Sequence, residues 1–390
     1  MENIDVKDVF KQLYGVNVEA IYQAPARINL IGEHIDYNGG LVFPSTIGIY
    51  TKCYFSKRND REIHLCSLNK KKAVTRSLDD LSKNGNSWEN YPIGAVFTLA
   101  RNGFKIEQGF NMLFTSEIPM GSGLSSSAAI LDLTIYTLKS EYNFDIDNKL
   151  VSLIAWETEN KYCGLSCGIM DQAIIALGKK NHAMLLDCYK YKYDYFPFDL
   201  GDYSLLVLKT NKPRSLTDSK YNERVKECDI ALDKLKEKYH HANNLCDYNM
   251  SEIDDIKKIL DDDLLFRRVL HVVSENQRVI DFKDALLKND LKTVGRLLNE
   301  SHYSLRDNYE VTGAHLDTIT DLARNSKGCL GSRMTGAGFG GCAIAIVKKN
   351  DVSDFKKNVI SGYKKALGIE CDIFECEIPD GVNKLEWIKL

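Results

Sequence analysis

The sequence predicts a two-domain protein that mixes β-strands with α-helices, and three observations carry that prediction. A chain of 390 residues exceeds what one ordinary core serves, which favours two domains of about 150 to 200 residues each. Before residue 180, extended apolar runs alternate with glycine-punctuated turns and helical stretches. Beyond it the texture changes to long, charged helical segments that close on a glycine-rich run and one more apolar strand.

Residues 1–14 place Val6, Val9, Phe10 and Leu13 on one side of a short helix. In the stretch from Ala24 to Gly40, Ile28, Leu30 and Ile31 suit a buried strand, after which Gly32 and the Asn38-Gly39-Gly40 turn bracket a dense polar cluster. Arg27, Glu33, His34, Asp36 and Tyr37 fall within eleven positions of one another. Carboxylates and an imidazole around one turn suit a polyol, because each hydroxyl can donate to a carboxylate and accept from a donor. Two other readings stay open. One is a metal held by His34 and Asp36, although no further histidines stand at ligand spacing; the other is an exposed polar loop. Residues 41–58 alternate apolar and polar and predict strands of an antiparallel sheet. A polar loop at 83–87 leads into a helix through Ala100, on which Trp88 and Tyr91 share a face, for core packing or for stacking on a base.

Met112–Ile118 reads as a strand, Pro119–Ala129 as a tight loop, and the spacing of Ile130, Leu131, Ile135 and Leu138 as a helix. Gly121 and Gly123 lack the Cβ atoms that would keep a ligand off the backbone, and a helix starting near Leu124 leaves its first N–H groups unpaired. With the positive end of the helix dipole these make an anion site, most simply for phosphate. Ser125, Ser126 and Ser127 add hydroxyls able to bond phosphate oxygens or reach a divalent cation, the plainer alternative being a serine N-cap after a glycine turn. Leu150–Tyr162 reads as a helix carrying Glu157 and Glu159. A glycine-punctuated approach then sets Asp171 against the apolar run Ala173–Leu177. An acid so placed is costly to bury and either has a partner and a task or caps a helix.

In the second half, Met184–Leu186 and Ser204–Leu208 read as strands and 211–220 as a polar linker with Pro213. Helices are expected over 221–239, 251–279, 281–299 and 315–325. Gly331–Gly341 runs into the apolar strand Cys342–Val347. Its Gly336-x-Gly338-x-x-Gly341 spells the dinucleotide fingerprint but opens a strand where the fingerprint opens a helix, so a backbone-exposing loop over a ligand fits better than a Rossmann site.

With 51 basic and 54 acidic residues and a net charge of −3, the chain has no general field for nucleic acid or membrane. Its start has neither the basic flank nor the apolar core of a signal peptide, and no apolar run approaches a membrane helix. Eleven cysteines without a Cys-x-x-Cys pair read as reduced thiols of a cytoplasmic protein, and Cys163 with Cys167 lacks the second pair a structural zinc requires. The P-loop motif and the protein-kinase motifs are absent.

Three stretches together are far more specific than any one: Pro119-x-Gly-x-Gly-Leu-Ser-Ser-Ser-Ala128, Gly32-Glu-His-Ile-Asp-Tyr37 and Gly331-Ser-Arg-Met-Thr-Gly-x-Gly-Phe-Gly-Gly341. They resemble the motifs of the GHMP small-molecule kinases, and the second resembles the galactokinase branch. Cys167-Gly-Ile-Met-Asp-Gln172, His271-Val-Val273 with Glu275, and Ser301–Asp307 before Tyr309-Glu-Val311 extend the resemblance from about residue 20 to about residue 347. Ala26 and Ala337 stand where relatives often have glycine, a change small enough to allow close backbone approach.

The resemblance implies an α+β fold of two domains with the active site in the cleft between them. Residues 1–178 would be the ribosomal-protein-like α/β domain with the sugar and ATP-phosphate motifs, and 179–390 the α+β domain with the third motif. It implies a cytoplasmic, monomeric enzyme of galactose catabolism that uses ATP and Mg²⁺ to phosphorylate the anomeric hydroxyl of galactose. Asp171 would be the catalytic carboxylate, with Arg27 beside it. Glu33, His34, Asp36, Gly168 and Tyr221 would line the sugar pocket, and Ser127 and Glu159 would hold Mg²⁺. Gly121, Ser122, Gly123, Leu124, Ser125, Ser126, Ser127 and Ala128 would hold the ATP phosphates, and Trp88 and Tyr91 match positions near the adenine. A kinase for N-acetylgalactosamine or arabinose remains an alternative. So does a non-catalytic galactose- and ATP-binding regulator, which would predict damage at Arg27, Ser127 or Asp171, all of them present.

Overall fold

Strand Ala20–Asn29, buried along most of its length, organises the first sheet. The computed structural model describes residues 5–119, 123–212 and 217–385. It sets this strand second in a six-stranded sheet ordered Asn383–Lys384, Ala20–Asn29, Pro44–Lys57, Phe110–Ser116, Glu62–Ser67, Lys72–Ser77. All neighbours run antiparallel except Glu62–Ser67 with Phe110–Ser116. A register shift between Pro25 and Ala26 bends the ladder just before Arg27, as bulges do where a side chain must be re-aimed. Helices Asn90–Arg101, Ser126–Glu141, Asn148–Glu157 and Met170–Leu177 cover the sheet, the second and fourth lying directly on Ala20–Asn29 and Pro44–Lys57.

The second sheet has four antiparallel strands ordered Cys329–Thr335, Cys342–Lys348, Tyr203–Lys209, Asp372–Glu375. Helices Leu291–Asp307 and Ala314–Arg324 pack on it. Cys342–Lys348 is buried on both faces up to its last residue, which is why its apolar run shows no alternation. A third, three-stranded sheet joins Leu41–Val42 to His182–Asp187 and Lys192–Pro197. One contiguous core runs from Tyr22 and Phe55 through to Ile344 and Tyr363. The α+β expectation holds, and two pairings, Leu41–Val42 with His182–Asp187 and Asn383–Lys384 with Ala20–Asn29, cross residue 178.

Several expected elements differ. The first helix is Val6–Tyr14, capped by Asp5, but Leu13 is 46% exposed; Tyr14 takes its place and donates its hydroxyl hydrogen to the Met112 carbonyl at 3.0 Å. The single helix expected over 251–279 is two, Ile253–Leu260 and Asp263–Leu287. Asp261 turns into left-handed backbone (φ 45°), and Asp262 then caps the second helix by accepting the Leu265 N–H. The break expected near 280 falls at 288–290, where Asp290 caps Leu291–Asp307. Apolar spacing runs through both sites, so the caps and not the periodicity decide the ends. The expected helix 150–162 starts at Asn148 and converts at Thr158–Cys163 to a π-turn, a form frequent at functional sites. The helix expected from 221 begins at Thr217, inside the expected linker, and Pro213 lies outside the described residues.

Candidate active site

The end of strand Ala20–Asn29, the start of helix Ser126–Glu141, the π-turn and the start of helix Met170–Leu177 converge on one cavity of about 390 Å³, together with Tyr221 and the Gly336–Ala337 turn. It is lined by Arg27, Glu33, His34, Asp36, Gly123, Ser125, Ser126, Ser127, Glu159, Gly168, Asp171 and Tyr221, and by Tyr91 at one side. Residues from three distant stretches therefore share one cavity. Leu124 and Ala128 face the core instead, leaving only their backbones to the turn. Trp88 precedes helix Asn90–Arg101, so it shares no helix face with Tyr91, and it packs edge-on against Phe114. Gly121 and Ser122 lie outside the described residues.

At the centre, Arg27 grips Asp171 with two hydrogen bonds, Nε to Oδ1 at 2.6 Å and NH2 to Oδ2 at 2.7 Å, and its NH1 donates to the Gly123 carbonyl at 2.6 Å. Burial disfavours the guanidinium, but the carboxylates of Asp171, Glu33 and Asp36 together more than offset that and hold the Arg27 pKa above its ordinary value. Asp171 sits in the first turn of its helix with Ile169 at the N-cap position, so the helix-cap alternative is replaced by an ion pair.

Ser125 corrects the other cap reading. It occupies the N-cap position in left-handed backbone (φ 62°, ψ 48°) and makes no capping bond; its hydroxyl donates to Asp171 Oδ2. For a non-glycine residue that backbone costs about 1–2 kcal/mol, a strain that concentrates where function requires it.

On the opposite wall, Glu33 and His34 are 2% and 3% exposed, which removes the exposed-loop reading. Glu33 accepts the Gly336 N–H at 2.7 Å and an Asn29 amide hydrogen at 3.2 Å, with Arg333 at 3.4 Å. Burial raises its pKa, while Arg333 and Arg27 pull it back. His34 Nε2 faces the Ala337 carbonyl at 3.2 Å and so carries the hydrogen; Nδ1 then accepts from the Tyr37 hydroxyl at 2.8 Å. Burial pushes its pKa down to about 3, leaving it neutral. Both ring nitrogens being engaged, and no metal-ligand cluster being present among the described residues, the His34–Asp36 metal reading falls.

Asp36 lies directly against Gly168, where any Cβ would clash with its carboxylate. Burial, with help from Asp171 and Glu33, pushes its pKa up to about 7. Tyr221 stacks obliquely beside His34 and Tyr37, at 5.6 and 5.4 Å between ring centroids. Next to the serines, Glu159 accepts from Gln172 Nε2 at 2.5 Å; burial pushes its pKa up to about 7, against the pull of the Ser127 hydroxyl. Sequence reasoning assigned no role to Arg333, Gln172 or Asn29. Their side chains matter through partners 300, 13 and 4 positions away; Arg333 and Gln172 stood inside motifs that carry the resemblance, but nothing local to either motif points to those partners.

A cavity between two α+β halves, with an arginine–aspartate pair between a serine-rich helix start and an acidic turn, defines a GHMP small-molecule kinase. The GHMP kinases N terminal domain matches residues 90–179, the GHMP kinases C terminal domain residues 282–365, and the galactokinase galactose-binding signature residues 8–57. Galactokinase of Clostridium perfringens is 45% identical over 99% of this chain and 100% of its own length, and galactokinase of Limosilactobacillus reuteri is 43% identical over 98% of each. The chain belongs to the galactokinase family. The crystal structure of Lactococcus lactis galactokinase complexed with galactose superposes with a TM-score of 0.95 at 39% identity, covering 97% of this chain and 99% of that one. Methanococcus jannaschii mevalonate kinase, at a TM-score of 0.66 and 21% identity over 92% of this chain and 98% of its own, shares the fold alone.

Proposed function

We propose that this kinase transfers the γ-phosphoryl group of ATP to the anomeric hydroxyl of D-galactose, giving galactose 1-phosphate and ADP. The observation that carries the reading is the Arg27–Asp171 pair, set between the acidic wall of Glu33 and Asp36 and the serine-rich helix start. Phosphoryl transfer asks a protein mainly for positioning and charge neutralisation. The sugar hydroxyls would meet Glu33, His34, Asp36 and Tyr221, with Gly168 leaving room for Asp36. The phosphates would meet the backbone of 121–128, with the adenine toward Tyr91 and Trp88. As the sugar oxygen bonds to phosphorus and the bond to the departing ADP breaks, the hydroxyl proton passes to Asp171, which Arg27 holds in place by its two hydrogen bonds.

Ser127 and Glu159 suit Mg²⁺: both are hard oxygen donors at the cavity wall beside the helix start, and Glu159, raised to about 7, gives up its proton readily when a cation arrives. When bound, the ion would neutralise charge on the phosphates. We also take the two larger sheets as the cores of two domains dividing near residue 178, with the two crossing pairings as exchanges between them. Eleven free cysteines suit a cytoplasmic protein.

ADP release measured with MgATP and galactose, N-acetylgalactosamine or arabinose tests the substrate; turnover is expected with galactose, and turnover with another sugar alone would reassign it. Asp171→Asn should lower kcat by about 10² to 10⁴ while galactose still binds. A folded Asp171→Asn protein with wild-type turnover would remove the base from this scheme.

A further inference from the structure

Arg27 and Asp171 stand on different elements 144 residues apart, yet their two-point contact requires those elements to be held in fixed spacing. The strand register pairs Arg27 with Thr46. Thr46 is wholly buried, does not line the cavity, and donates its hydroxyl hydrogen to the Pro379 carbonyl at 2.6 Å. Pro379 belongs to the irregular segment 376–382, which leaves strand Asp372–Glu375 of the second sheet and enters strand Asn383–Lys384 of the first.

Along the way that segment binds both supports of the pair. The Gly48 N–H, two residues from Thr46, donates to the Glu377 carbonyl at 3.0 Å, and the Asn181 N–H to the Ile378 carbonyl at 3.1 Å. The N–H groups of Gly381 and Val382 donate to the carbonyls of Gly178 and Ile175, each at 2.8 Å. Ile175 and Gly178 form the last turn and C-cap of the helix whose first turn carries Asp171. Packing at this knot leaves no slack: a Cβ on Gly381 would lie 2.6 Å from the Ile175 carbonyl oxygen, and one on Gly178 would run into the Thr46 methyl group.

We infer that segment 376–382 sets the spacing of Arg27 and Asp171 by clamping the strand behind one and the helix beneath the other, with Thr46 as its positioning residue. The inference rests on the phosphoryl-transfer reading above. It follows from the steepness of catalysis with geometry, since displacements of about 1 Å from sites remote from the chemistry can cost about 10²-fold in rate.

Thr46→Val keeps the shape and deletes the donor. Its kcat should fall about tenfold with the KM of both substrates within about twofold of wild type, and Thr46→Ser, which keeps the hydroxyl, should recover to within about twofold. Asp380→Ala loosens the segment from the surface by removing the acceptor of the Lys180 N–H at 2.8 Å, and should lower kcat in the same sense but less; it carries the test if Thr46→Val does not fold. Wild-type kcat in both variants, equal losses in Thr46→Val and Thr46→Ser, or a rise in both KM values in step with the fall in kcat would overturn the inference. Wild-type protein that leaves every sugar unphosphorylated would instead overturn the reading beneath it, and this inference with it. An active wild type, an inactive Asp171→Asn and an unchanged Thr46→Val would sink this inference alone.

Discussion

The loop from Asn29 to Tyr37 and the turn from Gly123 to Ala128 are both polar and glycine-punctuated, and the protein treats them in opposite ways. Residues of the second half meet the first loop almost atom by atom. Thr335 accepts the Asn29 N–H at 3.0 Å, Arg333 donates to the Asn29 and Leu30 carbonyls at 3.1 and 2.8 Å, and Glu275 accepts the Gly32 N–H at 3.0 Å. His271 donates to the Glu33 carbonyl at 3.1 Å. Around the second turn Ser125 holds left-handed backbone, as His34 does in the first loop (φ 62° and 63°), and buried polar atoms lack hydrogen-bond partners among the described residues on both sides, Gln172 Oε1 and both Asp132 oxygens on one, Arg333 Nε and NH2 on the other. Asp132, whose pKa burial raises far above the carboxylate range, is a neutral acid behind Glu159. The difference lies in tethering and not in strain: side chains of the second half reach the backbone of the first loop, where the sugar is proposed to bind, whereas side-chain bonds to Gly123 and Ser125 of the second turn come from Arg27 and Asp171.

That contrast can be broken at several points. Arg333→Leu strips a wholly buried cation from Glu33 and from two backbone carbonyls; urea unfolding should show a loss of about 3–5 kcal/mol, and unchanged stability would deny the first loop its scaffold. Gly168→Ala drives a methyl group into the Asp36 carboxylate. An overpacking cost of about 1–3 kcal/mol should raise the galactose KM about 5- to 150-fold while the ATP KM stays put. An equal rise in both would make Gly168 a general structural glycine.

At the second turn, Ser125→Gly and Ser125→Ala both lose the hydroxyl bond to Asp171, but only glycine relieves the backbone. Ser125→Gly should therefore be about 1 kcal/mol more stable than Ser125→Ala, with both slowed in turnover; equal melting would remove the strain from the account. The last prediction is a pH dependence at Asp36, whose carboxyl is raised from 3.8 to about 7 on folding by burial. The folded state holds a proton that the unfolded state has lost. The stabilisation is thus complete below 3.8, declines as pH rises, and is gone above about 7. Melting of ligand-free Asp36→Asn should lack that decline relative to wild type, and parallel curves across the window would refute it.

Much of the site was legible because its parts are local. Glycines that free the backbone, serines at a helix start and an acid-rich turn after a strand each state a chemical capacity within a dozen residues, and three such stretches together were enough for the resemblance. The adjacent Trp88 and Tyr91 misled because their spacing was read as one helix, whereas the helix begins at Asn90. The break at Asp261 was hidden because apolar periodicity continues across it; the left-handed Asp261 ends the preceding helix and the capping bond of Asp262 starts the next. Gly168 shows its reason only once Asp36 lies against it.

The sequence by itself determined the repertoire: mixed strands and helices, a phosphate-type turn, and a set of acids of which some would face a sugar. Tertiary structure alone decided which acid does what. Asp36, Asp132, Glu159 and Asp171 are alike as residue types, and only Asp171 is gripped by a two-point arginine. Burial leaves Asp132 neutral and sets Asp36 and Glu159 near neutrality, because the state of a carboxyl depends on the partners and water that folding leaves around it.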